Sequence, residues 1–324
     1  MPVFLGGMAA ALLGVGDFFG GVGGRRIDHP GAVVSIAWVA SCVGAAVAGL
    51  YVVVFPPAGF GRTDFYWTMV ALVFAATVRP LLYLSMERGP MAVVAPTFSL
   101  VSLVVPAVVG PLTGDALGGA ELVGVVLAVP AVLLISSEGR LPTTEMLRSG
   151  SALALGCLVG VLLGCLSLTF AQITPDAGAM PAFLTQLGAV AVIPLITMPF
   201  RLMAPVSSNV RRFGLLVGLI DIGAVISMVI AFQRGNVAVV AAMLGFAPVT
   251  TMALAWRVYH ETVRRWQWVG AGMGAVAFIL FSTAAWLAAV RQISRVGIGR
   301  MSPITHPRSG RRRRRSAATG LAGA

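Results

Sequence analysis

The chain has 324 residues, 58% of them hydrophobic and only 10% charged, with a net charge of +12. Soluble domains carry roughly a quarter charged residues because their surface must face water, so composition excludes a water-facing globule and leaves lipid as the solvent. The basic excess does not indicate nucleic acid: all 23 basic residues are arginine, nine of them lie beyond Val290, and the rest fall almost wholly between apolar segments.

Apolar runs of about 20 residues without strict alternation predict membrane-spanning helices and argue against a β-barrel. In chain order the predicted helices are 2–22, 31–55, 64–86, 90–112, 119–137, 150–172, 180–200, 211–233, 236–257 and 267–289. The chain is therefore expected to be an all-α polytopic membrane protein of about ten transmembrane helices. No basic residue precedes the first apolar stretch, which reads as a spanning helix and not as a cleaved signal. The sixth helix repeats glycine at Gly156, Gly160 and Gly164, the eighth at Gly214 and Gly218, the tenth at Gly270 and Gly274. Such small-residue faces let helices approach closely in lipid. The longest connection, 138–149, is only about a dozen residues, so no soluble domain is inserted, and the work of the protein is expected within the bilayer. Residues 290–324 are rich in Arg, Ser, Gly and Pro. Such a segment buries too little surface to fold; it is expected either to rest on anionic lipid, if it faces the cytoplasm, or to be a solvated tail with no specific role.

The halves of the chain resemble each other at an offset of 146 residues. Glu87-Arg88-Gly89-Pro90-Met91-Ala92-Val93-Val94-Ala95 matches Gln233-Arg234-Gly235-Asn236-Val237-Ala238-Val239-Val240-Ala241. In the same register Asp115 falls on Glu261, Val123-Gly124 on Val269-Gly270 and Ser136 on Ser282. The offset spans five helices, an odd number, so equivalent helices cross in opposite directions. This predicts two inverted five-helix repeats, 2–137 and 150–289, joined by 138–149, with substrate bound near the midplane between them.

These residues resemble the drug/metabolite transporter superfamily, specifically EamA-type permeases with two five-helix domains. The resemblance covers about residues 3–289 and rests on Arg88-Gly89 and Arg234-Gly235 leading into apolar helices, and on Pro248, Glu261 and Gly270 in the second copy. The opening Gly16-Asp17-Phe18-Phe19-Gly20-Gly21 with Arg25-Arg26 is similar to a subgroup associated with actinobacteria. Asp115 stands where the family usually has glutamate, and Ser102 stands opposite Pro248. What the resemblance implies is ten helices, alternating access, and movement of small organic molecules across a bacterial inner membrane.

Charge near a helix centre costs about 3 kcal/mol to insert and usually faces a cavity or a partner. Arg79 in the third helix, ahead of Pro80, and Asp221 in the eighth are repeat-equivalent within one turn and are expected to line a central cavity. The competing role is a structural ion pair. Asp17, nearer a helix end, is divided between cavity and interface, where it would bind substrate, take a coupling proton or cap the helix. Tyr83, Ser99 and Gln186 are further substrate-contact candidates, with Thr97 and Thr250 behind them. Glu87, Asp115 and Glu261 fall at helix termini and are expected to be structural. Trp38 offers a face to a cation, though membrane tryptophans mostly pack or sit at interfaces.

Cys42, Cys157 and Cys165 form neither a disulfide framework nor a metal site. There is no phosphate-binding glycine loop with lysine and no nucleophile–base set, so no enzyme activity, cofactor or metal is expected. Expected partners are a small-molecule substrate, membrane lipid, a coupling proton or ion, and a second copy as a homodimer, with no nucleic acid. The leading function is export of small metabolites such as amino acids. The alternative is a non-transporting component, such as a lipid-carrier translocation partner or an assembly scaffold. Odd-numbered loops hold 11 arginines and even-numbered loops two, but the tail adds nine to the even side. The positive-inside rule therefore leaves orientation open.

Overall fold

A computed structural model of the chain describes residues 1–29, 31–88, 91–112, 118–136, 150–199, 202–260 and 264–299. Its elements are α1 (Pro2–Arg26), α2 (Ala32–Val54), α3 (Arg62–Arg88), α4 (Met91–Leu112), α5 (Gly119–Ser136), α6 (Gly150–Ala171), a 3-10 turn at Pro175–Ala177, α7 (Met180–Thr197), α8 (Ser208–Arg234), α9 (Val237–Leu244), α10 (Ala247–Tyr259) and α11 (Arg265–Gly299). The described residues contain no strand. Residues Met1–Ala285 form one compact unit, and Trp286–Ala324 a second, whose described part is the end of α11.

Among the described residues, seven spans are long and apolar enough to cross a bilayer: α1, α2, α6, α7, α8, α9 with α10, and α11. Shorter apolar stretches lie in α4 and α5. The outer surface agrees, since Leu50, Val53, Phe55, Leu195, Leu219 and Ile279 are all exposed. Aromatic side chains mark both rims. Tyr66 and Trp67 pair edge to face at 5.3 Å near the start of α3, and Trp256 and Trp268 pair at 5.7 Å where α10 meets α11. Amphipathic rings at two levels are the signature of two membrane–water interfaces.

The predicted helix 236–257 is in fact two. Gly245 N–H still reaches Ala241 O at 3.1 Å, but Phe246 N–H turns to Met243 O at 3.0 Å. Pro248 has no N–H to continue the ladder, and it sits in the first turn of α10, where that donor is not needed. Asn236 starts α9 by accepting from Ala238 and Val239 N–H at 3.1 and 3.3 Å, and Ser207 starts α8 by accepting from Val210 N–H at 3.3 Å. Both are N-caps that satisfy otherwise orphaned donors. The final helix also exceeds its predicted end at 289 and continues to Gly299.

The main packing partners come from opposite halves of the sequence. α1 packs on α8 and α10, α2 on α7 and α8, α3 on α6 and α7, and α4 on α6 and α9. Small residues make these approaches close. Gly160 and Gly164 of α6 lie under Val101 and Val105 of α4, while Gly214 and Gly218 of α8 lie under Val39 and Val43 of α2. A side chain at any of these glycines would meet its neighbour below van der Waals distance, so the backbones are held nearly as close as they can approach.

Candidate functional site

Asp221 occupies the centre of α8, and its carboxylate rests on Gly16 of α1, where only a hydrogen atom leaves room for it. Asp17, the next residue, is exposed, and Asp221 is half-buried. The contact is set by the backbones. Gly214 and Gly218 draw α8 onto α2, and Gly23 of α1 packs on Ile36 and Phe213, so α1 and α8 meet along their length.

One strip of α1 changes character along the helix. Gly6 and Ala10 are buried, with Gly6 against Met243. Two to three turns on, Asp17 and Gly21 are exposed, and nothing lies within 4 Å of where side chains at Gly20 and Gly21 would start. The strip is thus packed at the Pro2 end and open toward Arg26. The rim beside that opening carries Arg25 over the Tyr259 ring at 5.6 Å, with Phe18 against the same ring at 5.8 Å.

The remaining predicted residues are distributed over other contacts. Gln186 is 5% exposed on α7, with its amide against Gly44 of α2. Ser99 is 9% exposed on α4, and its carbonyl accepts from the Ser102 hydroxyl at 2.9 Å. The side chains of Arg79 and Tyr83 lie outside the described residues, as do Asp115 and Glu261. Of the six predicted site residues, the described contacts therefore bring Asp17 and Asp221 to one level, on adjoining helices. They tie Gln186 to α2, and α4, which bears Ser99, packs on α6.

Trp38 has a packing role that its sequence position did not reveal. Its indole N–H donates to Val190 O at 3.0 Å. Val190 precedes Pro194 by four residues, and Pro194 lies inside α7. The helical donor for that carbonyl is therefore missing, and the indole replaces it. Trp38→Phe should leave the carbonyl unpaired and cost about 1–3 kcal/mol. Thermal melting of the purified protein in lipid nanodiscs checks this, with an unshifted midpoint as the contrary result. Gly16 was also missed as a partner of Asp221. The available signal was its place beside Asp17 in a glycine-rich stretch, but no periodicity could name the helix opposite.

An open apolar pocket of about 400 Å³ lies apart from Asp221, between α1, α9 with α10, and α11. Gly7, Ala11, Phe246, Gly274 and Phe278 line it, and Thr250 offers the polar group of its lining. Among the described residues no cluster of three or more histidine, cysteine or acidic side chains could hold a metal ion.

An apolar helical bundle with two aromatic rims and a carboxylate seated at mid-helix defines a multi-pass membrane protein with polar chemistry inside the bilayer. Residues 150–304 match the model of the EamA-like transporter family. The match covers 155 of the 324 residues and makes the chain similar to membrane transporters of the drug/metabolite type, whose substrates are small molecules. No curated protein matches the chain. A solved crystal structure superposes with a TM-score of 0.68 at 14% identity, over 88% of this chain and 96% of that one. At that identity the likeness concerns the fold alone.

Proposed function

We propose that the protein is a secondary transporter that exports small organic metabolites, amino acids or related compounds, from a bacterial cell across its inner membrane. The observation that carries this is the Asp221 carboxylate, held at the centre of a spanning helix against a glycine of α1. An acid at that depth is costly unless it faces a cavity or a partner. The open strip of α1 at Asp17, Gly20 and Gly21 supports a water-filled path entered from the Arg26 end, because an exposed carboxylate facing acyl chains would be strongly disfavoured. In this proposal Asp221 and Arg79 contact the charged groups of the substrate, Asp17 receives the coupling proton or ion, and Tyr83, Ser99 and Gln186 complete the cavity. The two five-helix repeats rock about that site, and the cross-half packing of α1 with α8 and of α3 with α6 supports such a motion.

The test compares metabolites inside and outside cells expressing the wild type, an equally abundant Asp221→Asn variant, or neither. A compound moved by the wild type and not by the variant names the cargo and supports the site. Equal movement by both removes Asp221 from it. No movement, with the protein present in the membrane, favours a non-transporting role.

A further inference from the structure

At the end of the bundle where α2 turns into α3, residues 172–179 connect α6 to α7 and are held from three directions. Gly59 N–H donates to Asp176 O at 3.1 Å. Thr174 N–H donates to Oδ1 of Asp64 at 2.8 Å, while Gly61 N–H donates to its Oδ2 at 3.0 Å. From the end of α8, Gln233 Nε2 donates to Gly178 O at 3.0 Å. Asp64 is 5% exposed, and its own carbonyl accepts from the Thr68 hydroxyl at 2.7 Å. Beneath the segment, Ile173 and Ala177 pack with Phe232, Val237, Val240 and Ala241 in one buried cluster. The end of the bundle opposite the open strip of α1 is thus closed.

The opposite end carries a related contact without the carboxylate. Ala204 N–H donates to Gly31 O at 3.3 Å, and the Ser35 hydroxyl donates to Ala204 O at 2.8 Å. The 146-residue offset relates Gly59 to Pro205 and Gly31 to Ala177, so the two backbone bonds occupy corresponding places to within one residue. The difference is chemical. One end has a carboxylate gripping two backbone N–H groups, which are charge-assisted bonds roughly twice as strong as neutral ones. The other has a single hydroxyl. The closed end also holds one imperfection: Gln233 Oε1 is buried with no hydrogen-bond partner.

We propose that residues 172–179 are a strap gating this end of the path, with Asp64 its clasp and Gln233 its tether to α8. Release of Thr174 from Asp64 lets this end open and lets the unsatisfied Gln233 carbonyl reach water. The proposal rests on the transporter reading only for the existence of two alternating ends.

A built-in lock tests it. A Cβ at Gly59 would stand 3.8 Å from Cβ of Asp176, the mean separation in disulfides of about 3.8 Å. Gly59→Cys/Asp176→Cys, made with Cys42, Cys157 and Cys165 replaced by serine, should cross-link on oxidation. Hydrogen exchange of the full chain in nanodiscs then compares the oxidised lock, its reduced form and Asp64→Ala. Asp64→Ala should raise exchange severalfold across 237–244 and lower it at the far end, around 20–26. The oxidised lock should shift both regions in the opposite sense, and reductant should reverse it. Changes confined to the strap's own end, or no change in either protein, overturn the gate, because a merely structural clasp has no reciprocal effect. Reciprocal exchange, with metabolite movement indifferent to Asp221→Asn, would keep the strap and remove the substrate site.

Discussion

Gly16→Ala should reduce transport about tenfold or more while leaving the protein folded and in the membrane. The added methyl would occupy the place of Asp221 Oδ1 and stand 3.3 Å from its Cγ. α8 cannot retreat to make room, because Gly214 and Gly218 already hold it on Val39, Val43 and the backbone of Ala40. The carboxylate must therefore rotate away, and about 1.4 kcal/mol of lost substrate interaction is a tenfold effect. The check is the rate of movement of the identified compound, normalised to membrane abundance, in a double-mutant cycle with Asp221→Asn. If the methyl acts through the carboxylate, Gly16→Ala adds nothing to Asp221→Asn. Additive losses would mean that Gly16 matters for another reason, and an unimpaired Gly16→Ala protein would separate Asp221 from substrate altogether.

Gly14→Ala should act on stability instead. Here the obstacle is backbone. A Cβ at Gly14 would run into the Ala247 carbonyl oxygen and stand 2.7 Å from Cβ of Thr250. The Gly14 carbonyl also accepts from the Thr251 hydroxyl at 2.9 Å, so parting α1 from α10 breaks that bond as well. Overpacking of this kind costs about 1–3 kcal/mol. Gly272→Ala is the matched control, since nothing lies within 4 Å of the new methyl. Removing a helical glycine there should be neutral or favourable by up to ~1 kcal/mol. The fraction of protein that stays monodisperse after heating measures both. Equal melting of the two variants would show that the α1–α10 contact yields more easily than its geometry implies.

Neither the partner of Gly16 nor that of Gly14 is visible in the sequence, because each lies on a helix more than 200 residues away. Hydropathy located the spanning segments because lipid demands long apolar runs whatever their neighbours. It also placed Asp221 within the bilayer, since a carboxylate in such a run is conspicuous. The break at Gly245–Phe246 is hidden in the sequence because no polar side chain interrupts the run from Val237 through Val249. Only the lost N–H of Pro248 and the tightened Phe246–Met243 bond reveal it. From the sequence, Trp38 offers a face to a cation or a packing surface. Its actual partner, the Val190 carbonyl stripped of its donor by Pro194, lies 152 positions away. Asp64 was unremarkable at a helix start, and its hold on Thr174 crosses 110 positions.

By itself the sequence determined the solvent, the helical class and the residues too polar to lie in lipid without a role, because those follow from transfer free energies that each segment carries alone. Tertiary structure decided which helices meet, that Asp221 is seated on Gly16, and that one end is clasped by Asp64 while α1 opens toward the other. Those depend on where backbones approach within a methyl group of each other, a property of pairs of distant segments that no single segment records.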